Sequence, residues 1–306
     1  MSAGGSSKAV AAALAANAGI AASKTVAFAI TGSSSMLAEA VHSFADSGNQ
    51  ALLLVGAKRA KRVADAAHPF GHGGERYFYS FIVSLLLFSV GAMFAIYEGI
   101  IKIRSPHHLE SAVIAITVLG VAVVLETLSF RTAIQESRKV KGNVSWVRFV
   151  RQAKIPELPV VLLEDLAALI GLLLALGAVI TSEATGDPVW DGVGTLMIGI
   201  LLLLVAAILA FEMKSLLIGE GALETDVTAI AAAFEGSPGV NRLIHLRTLH
   251  LGPEELLVGA KLEFDPSFGM AELASAIDTA EAAVRAAVPT VTTMYVEPDL
   301  YREITV

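Results

Sequence analysis

The chain has 306 residues, of which 55% are hydrophobic and 17% charged, with a mean hydropathy of +0.67. Soluble domains carry about a quarter charged residues, so composition excludes a wholly water-soluble globule, and the apolar fraction excludes a disordered chain. The formal net charge of -7 argues against nucleic-acid binding, and the lack of cysteine removes disulfides, thiolate nucleophiles and thiolate metal sites. Any metal is left to His, Asp, Glu, Asn or backbone oxygen.

Spanning a bilayer takes about 20 mostly apolar residues. Six stretches meet that length, at 9–31, 36–57, 77–101, 111–132, 158–181 and 192–217. The first is too long for the apolar region of a secretory signal, about 7–15 residues, and reads as a span. No Arg-rich leader precedes it, so a bacterial cytoplasmic membrane is expected rather than a mitochondrial one. Of the 22 basic residues, 12 fall between spans two and three (Lys58 to Arg76) and between spans four and five (Arg131 to Lys154). The alternate loops hold only Lys102 and Arg104. Positive residues mark the cytoplasmic side, so both termini are expected there.

After Gly219 no further stretch is long enough to span. Amphipathic and alternating patterns predict a helix near Thr225–Glu235, strands near Leu243–Leu251 and Leu256–Phe264, a helix near Met270–Ala287 and a strand near Thr292–Val296. The expected fold is an α-helical membrane protein, with a six-helix transmembrane domain over 1–218. A small cytoplasmic α+β domain of αββαβ order, ferredoxin-like, follows over 219–306. The two parts differ in charge. Residues 1–218 hold 17 basic and 15 acidic side chains, and residues 219–306 hold 5 basic and 14 acidic.

Ionisable residues within a membrane span are costly and need a reason. The second span carries Glu39, His42, Asp46 and Asn49 at spacings of 3, 4 and 3, all on one helical face. His and Asp one turn apart can share a small cation, and imidazole titrates near neutral pH. The bland alternative is polar glue between helices, and the His–Asp register favours the ion site. The fifth span carries Glu164 and Asp165. Neighbours on a helix point about 100° apart, so at most one of them faces that site squarely, and periodicity does not choose. Lys24 either snorkels to the surface or pairs with an acid such as Glu39. Glu126 and Glu212 are candidate proton carriers. The loop from His68 to Arg76 holds two histidines without helical spacing, and His107-His108 is expected in an outer loop. In the tail, His245 and His250 have an odd spacing, which puts them on opposite strand faces.

The segments G32-S-S-S-M-L-A-E-A-V-H-S-F-A-D46, H68-P-F-G-H-G-G-E-R76, D187-P-V-W-D191 and L217-I-G-E-G221 are joined by the αββαβ tail. In that order they resemble the cation diffusion facilitator family of divalent-metal transporters. H42-S-F-A-D-S-G-N-Q50 with V160-V-L-L-E-D-L-A-A-L-I-G171 looks most like the branch that contains the animal mitochondrial zinc transporter.

The resemblance implies a homodimer that exchanges a divalent metal, zinc first, for protons across the bilayer, with no enzymatic activity. It places metal ligands at His42 and Asp46 in the second span and at Asp165 in the fifth. The remaining family position is Val161, and a water, Asn49 or Glu164 is left to complete the shell. Cobalt, manganese or iron(II) is the alternative cargo, and a non-transporting membrane metal sensor the alternative role. A membrane hydrolase lacks the nucleophile or HExxH pair it would need. In the tail only His245 matches the family's zinc-binding histidines. The other positions hold Lys261, Tyr295 and Glu297, which implies a dimerisation module with weak metal binding or none.

Overall fold

The computed structural model describes residues 4–31, 34–106 and 112–302. The side chains of His42 and Glu39, and the pair His107-His108, lie outside the described residues. The chain divides into two compact units, residues 1–59 with 75–214, and residues 60–74 with 215–306.

The first unit is helical. α1 (Gly4–Thr31) and α2 (Ser34–Arg59) are followed by α3 (Glu75–Leu86), a π-helical segment (Leu87–Met93) and α4 (Phe94–Arg104). α5 (Ala112–Lys141), a short α6 (Trp146–Gln152), α7 (Glu157–Thr185) and α8 (Val189–Ile218) complete it. Among the described residues four stretches are long and apolar enough to cross a membrane: Glu75–Arg104, Ala112–Lys141, Glu157–Thr185 and Val189–Ile218. Exposed apolar stripes run at helical spacing along two of them, Val121, Val124 and Leu128 on α5, and Leu204, Ile208 and Phe211 on α8. Such stripes are at home against lipid and not against water. The unit is a multi-pass membrane domain. α1 packs along α2 and α5, and α5 along α7.

Local sequence explains the breaks. Ser145 caps α6, its hydroxyl accepting from the Arg148 amide at 3.2 Å. That short helix sits in a segment the hydropathy pattern leaves as a loop. α7 stops at Gly186, whose φ of 70° is the left-handed conformation glycine takes at a helix end. α4 and α8 run antiparallel at very close range. A Cβ at Gly99 would stand 2.6 Å from the Leu196 amide, and Cβ atoms at Gly192 and Gly199 would meet Ile103 and Ile96 at 2.8 and 2.7 Å. Larger residues at these positions would force the helices apart. At the start of α3, Arg76 donates two hydrogen bonds to Glu157 at the start of α7, at 2.5 and 2.7 Å, with both side chains buried. This bidentate pair pins the two helix starts together.

The second unit is α+β. α9 (Glu224–Glu235) leads to β1 (Val240–Gly252), β2 (Glu255–Phe264), α10 (Met270–Ala287) and β3 (Val291–Pro298). The sheet order is β1-β2-β3, with β1–β2 antiparallel and β2–β3 parallel across α10. β2 alternates strictly, burying Leu256, Val258, Ala260, Leu262 and Phe264. They pack on Ile230 and Phe234 of α9 and on Ala276, Ala280 and Val284 of α10. The predicted element order thus holds, with strand ends within a few residues of the expected ones.

Residues 60–74 join this unit through a backbone contact. A Cβ at Gly73 would lie 2.9 Å from the Gly252 Cα and 2.5 Å from a Glu255 carboxylate oxygen. Only glycine lets the loop lie this close to the β1–β2 turn.

Candidate metal centre

Four helices bring polar side chains together inside the first unit. α2 supplies Ser43, Asp46, Asn49 and Gln50, α7 supplies Glu164 and Asp165, α5 supplies Glu126 and Ser129, and α1 supplies Asn17 and Lys24. Asp46 is the shared charged neighbour of Glu126, Glu164 and Asp165. His42 lies one helical turn before Asp46 on α2.

The adjacent acids of α7 have different partners. Glu164 accepts the Asn49 amide at 3.2 Å on one oxygen and the Gln50 amide at 2.6 Å on the other. Asp165 accepts the Ser129 hydroxyl at 2.8 Å on one oxygen only. Their divergence of about 100° around the helix explains the split. The Asn49 and Glu164 of the expected site therefore bond to each other. Gln50 and Ser129 are members that the reading of the spans did not single out. Their signal was a hydrogen-bonding side chain within an apolar run, three or four residues from another polar one. Lys24 is buried rather than snorkelling, and donates to the Ser43 hydroxyl at 3.0 Å. Glu212 lies 4.0 Å from Arg151.

Two cavities meet at Asp46. One, of about 70 Å³, is lined by Asn17, Lys24, Ser43, Asp46 and Glu126 among others. The other, of about 420 Å³, is lined by Asp46, Asn49 and, from the π-helical segment, Leu87, Val90 and Gly91. Chemically, the first combines carboxylate oxygens with one ammonium in a low-dielectric surrounding, which is suited to a small cation.

The second unit carries its own cluster. The loop brings together Asp65, His68 and His72, with donor atoms within 4.8 Å of one another. Asp65 lies 3.3 Å from His68 Nδ1 and 3.2 Å from His72 Nε2. Asp65 also accepts the amides of His68 and Ala67, and the His68 amide bond leads in holding its carboxyl down at about 2. Two imidazoles and a carboxylate make a zinc-type donor set. Sequence spacing named the two histidines but missed Asp65. An Asp whose side chain closes a turn two to three residues on was the available signal.

In the sheet, His245 pairs with Lys261, which pairs with Glu297. The Lys261 ammonium lies 2.9 Å from Glu297 and 3.4 Å from Asp299, contacts that raise its pKa. A fixed cation thus stands in the cross-strand row that His245 shares.

Comparison with known proteins identifies the membrane unit. The profile of the cation efflux transmembrane domain matches residues 10–218. The mitochondrial proton-coupled zinc antiporter SLC30A9 of Xenopus laevis is 34% identical over 218 residues, 70% of this chain and 39% of the relative. Its human counterpart is 31% identical over 217 residues, 70% of this chain and 38% of the relative. Metal tolerance protein C4 of Arabidopsis thaliana is 28% identical over 217 residues, 70% and 48% of the respective chains. This chain spans less than half the length of these relatives. A solved MamM C-terminal domain in a nickel form is 22% identical and covers 26% of this chain and 100% of its own, with a TM-score of 0.25. The SLC30A9 relatives are named as mitochondrial, whereas composition led to a bacterial cytoplasmic membrane. A multi-pass membrane domain is common to both.

Proposed function

The chain belongs to the cation diffusion facilitator (cation efflux) family, and within it we propose a proton-coupled antiporter that exports a divalent metal, zinc first, from the side its basic loops face. The transported ion is held by His42 and Asp46 of α2 and by Asp165 of α7. The observation that carries this is the surplus of buried negative charge. Buried Glu126, Glu164 and Asp165 share one region with half-buried Asp46, and Lys24 is the only basic residue there among the described ones. Such a surplus persists in a membrane domain only if protons or a metal cation neutralise it.

Competition between those two supplies the coupling. Imidazole and carboxylate bind metal in their deprotonated forms, so protons arriving from the far side weaken binding and release the ion there. Zinc is ranked first because an imidazole ligand favours it over manganese and because several relatives are named as zinc antiporters. Six spans with both termini on one side, a homodimer joined through the C-terminal unit, and metal capture by Asp65, His68 and His72 complete the reading.

Flux into liposomes, with a panel of metals and a varied pH gradient, tests it. Zinc uptake is expected to follow the proton gradient and to vanish in His42→Ala and Asp46→Ala. Transport that persists undiminished in both variants, or is indifferent to the gradient, removes the assignment.

A further inference from the structure

His42, Asp46 and Asp165 are three ligands, and zinc or a similar ion in a protein site takes at least four. The residue one turn before Asp165 is Val161, buried and without a donor atom. Glu164 already accepts Asn49 and Gln50 on its two oxygens. Those bonds tie Asn49 and Glu164 to each other, so a metal at either would share the group with an existing hydrogen bond.

Glu126 on α5 differs from all of these. Its side chain is 2% exposed, and none of the described residues hydrogen-bonds to it. It lines the small cavity together with Asp46 and Lys24, and its charged neighbours are Asp165, Asp46 and Lys24. Ser129, three residues further along α5, donates to Asp165. Residues three apart share a helix face, so Glu126 lies on the side of α5 that meets Asp165.

We propose that Glu126 supplies the fourth ligand of the transported cation, in the place that Val161 leaves without one. The inference rests on the reading of His42, Asp46 and Asp165 as the site. The shell is then drawn from three helices, α2, α5 and α7, and consists of three carboxylates and one imidazole. Its oxygen-rich set is that of a borderline-to-hard metal.

The test uses the full-length protein in lipid nanodiscs, in a His68→Ala/His72→Ala background so that metal at the loop is not counted. Zinc titration is expected to show Glu126→Gln weakened at least about tenfold, the lower end of what losing even a ligand's supporting partner costs. Asp46→Asn should lose binding likewise, and Glu126→Asp should recover part of it. The chain has no cysteine, so Glu126→Cys adds a single thiol. Cadmium is expected to give an ultraviolet thiolate-to-metal band with that variant, absent from the parent and lost when Asp46→Asn is added. Unchanged zinc affinity in Glu126→Gln beside lost affinity in Asp46→Asn overturns the inference and leaves the three-ligand site standing. Weakened binding without the cadmium band overturns it too, making Glu126 a neighbouring charge. Undisturbed binding in Asp46→Asn removes the underlying site as well.

Discussion

The two units of this chain treat charge in opposite ways. In the membrane unit, Glu126, Glu164 and Asp165 are buried among helices, each next to Asp46, and hydrogen bonds from Ser129, Asn49 and Gln50 hold two of the three. In the C-terminal unit the core is apolar throughout, from Phe234 to Val284, although that part carries 14 of the 29 acidic residues. Most of its acids lie at the surface and in turns, with Glu255 at the start of β2 half-buried. A protein that can keep its acids outside one unit, and does, has a reason for keeping them inside the other. Burial of charge is tolerated where an ion is handled, and stability comes from apolar packing elsewhere.

The contrast can be broken most sharply at Asp46. Asp46→Ala is expected to abolish metal-for-proton exchange while the protein stays folded and assembled, as read by flux and by size-exclusion profile. A variant that fails to fold, instead of failing to transport, would make Asp46 a structural residue and erase the distinction. Not every buried charge in the membrane unit belongs to the site, and Glu157 supplies the control. Removing its side chain takes a bidentate partner from the buried Arg76 guanidinium, which should destabilise by about 3–5 kcal/mol. Lowered thermal stability with unaltered zinc affinity per folded molecule is the expected outcome.

Phe234→Ala is the counterpart in the C-terminal unit. The ring is fully buried between sheet and helices, so the loss should be about 3–5 kcal/mol, with zinc binding at the membrane site retained. A smaller effect concerns Lys261. Its pKa is raised by Glu297 first and then by Asp299, so the stabilisation is complete below the ordinary lysine value of 10.5 and fades as pH climbs past the raised one. Lys261→Met should remove this alkaline step from a pH series of melting curves. The smallest effect is expected from Glu281→Ala, which breaks a surface pair with Arg285 at 2.9 Å, worth about 0.3–0.5 kcal/mol.

Periodicity made most of the architecture legible. β2 alternates without exception, and its ends fell where the pattern put them, because one face is buried by α9 and α10. The long apolar runs marked α5, α7 and α8 for the same kind of reason: burial or lipid contact continues along their length. Features set by a few atoms were less visible. The π-helical stretch inside the third span leaves the apolar composition unchanged. α6 is only seven residues long, too short for a window to detect, although its Ser145 cap was there to be read. The loop cluster depends on the turn closed by Asp65, and a turn joins residues that share no period. At the membrane site, spacing grouped His42, Asp46 and Asn49. It could not show that Asn49 and Gln50 engage Glu164, nor that α5 turns Ser129 and Glu126 toward Asp165. Those facts depend on which helices are neighbours.

The loop over residues 60–74 is joined covalently to α2 and α3 but packs within the other unit, with Gly73 against Gly252. Synthesis therefore separates two partners by roughly 180 residues. At about 5–20 residues per second, the finished loop waits roughly ten to forty seconds for the β1–β2 turn to emerge. During that interval α3 to α8 are made, while the segment between α2 and α3 stays undocked. The C-terminal unit is consequently completed by a segment made well before the rest of it. A chain that stops short of the β1–β2 turn would present the Asp65–His72 segment without the surface that shapes it, and a truncation meant to remove a tail would also unmake a loop encoded roughly 180 residues earlier.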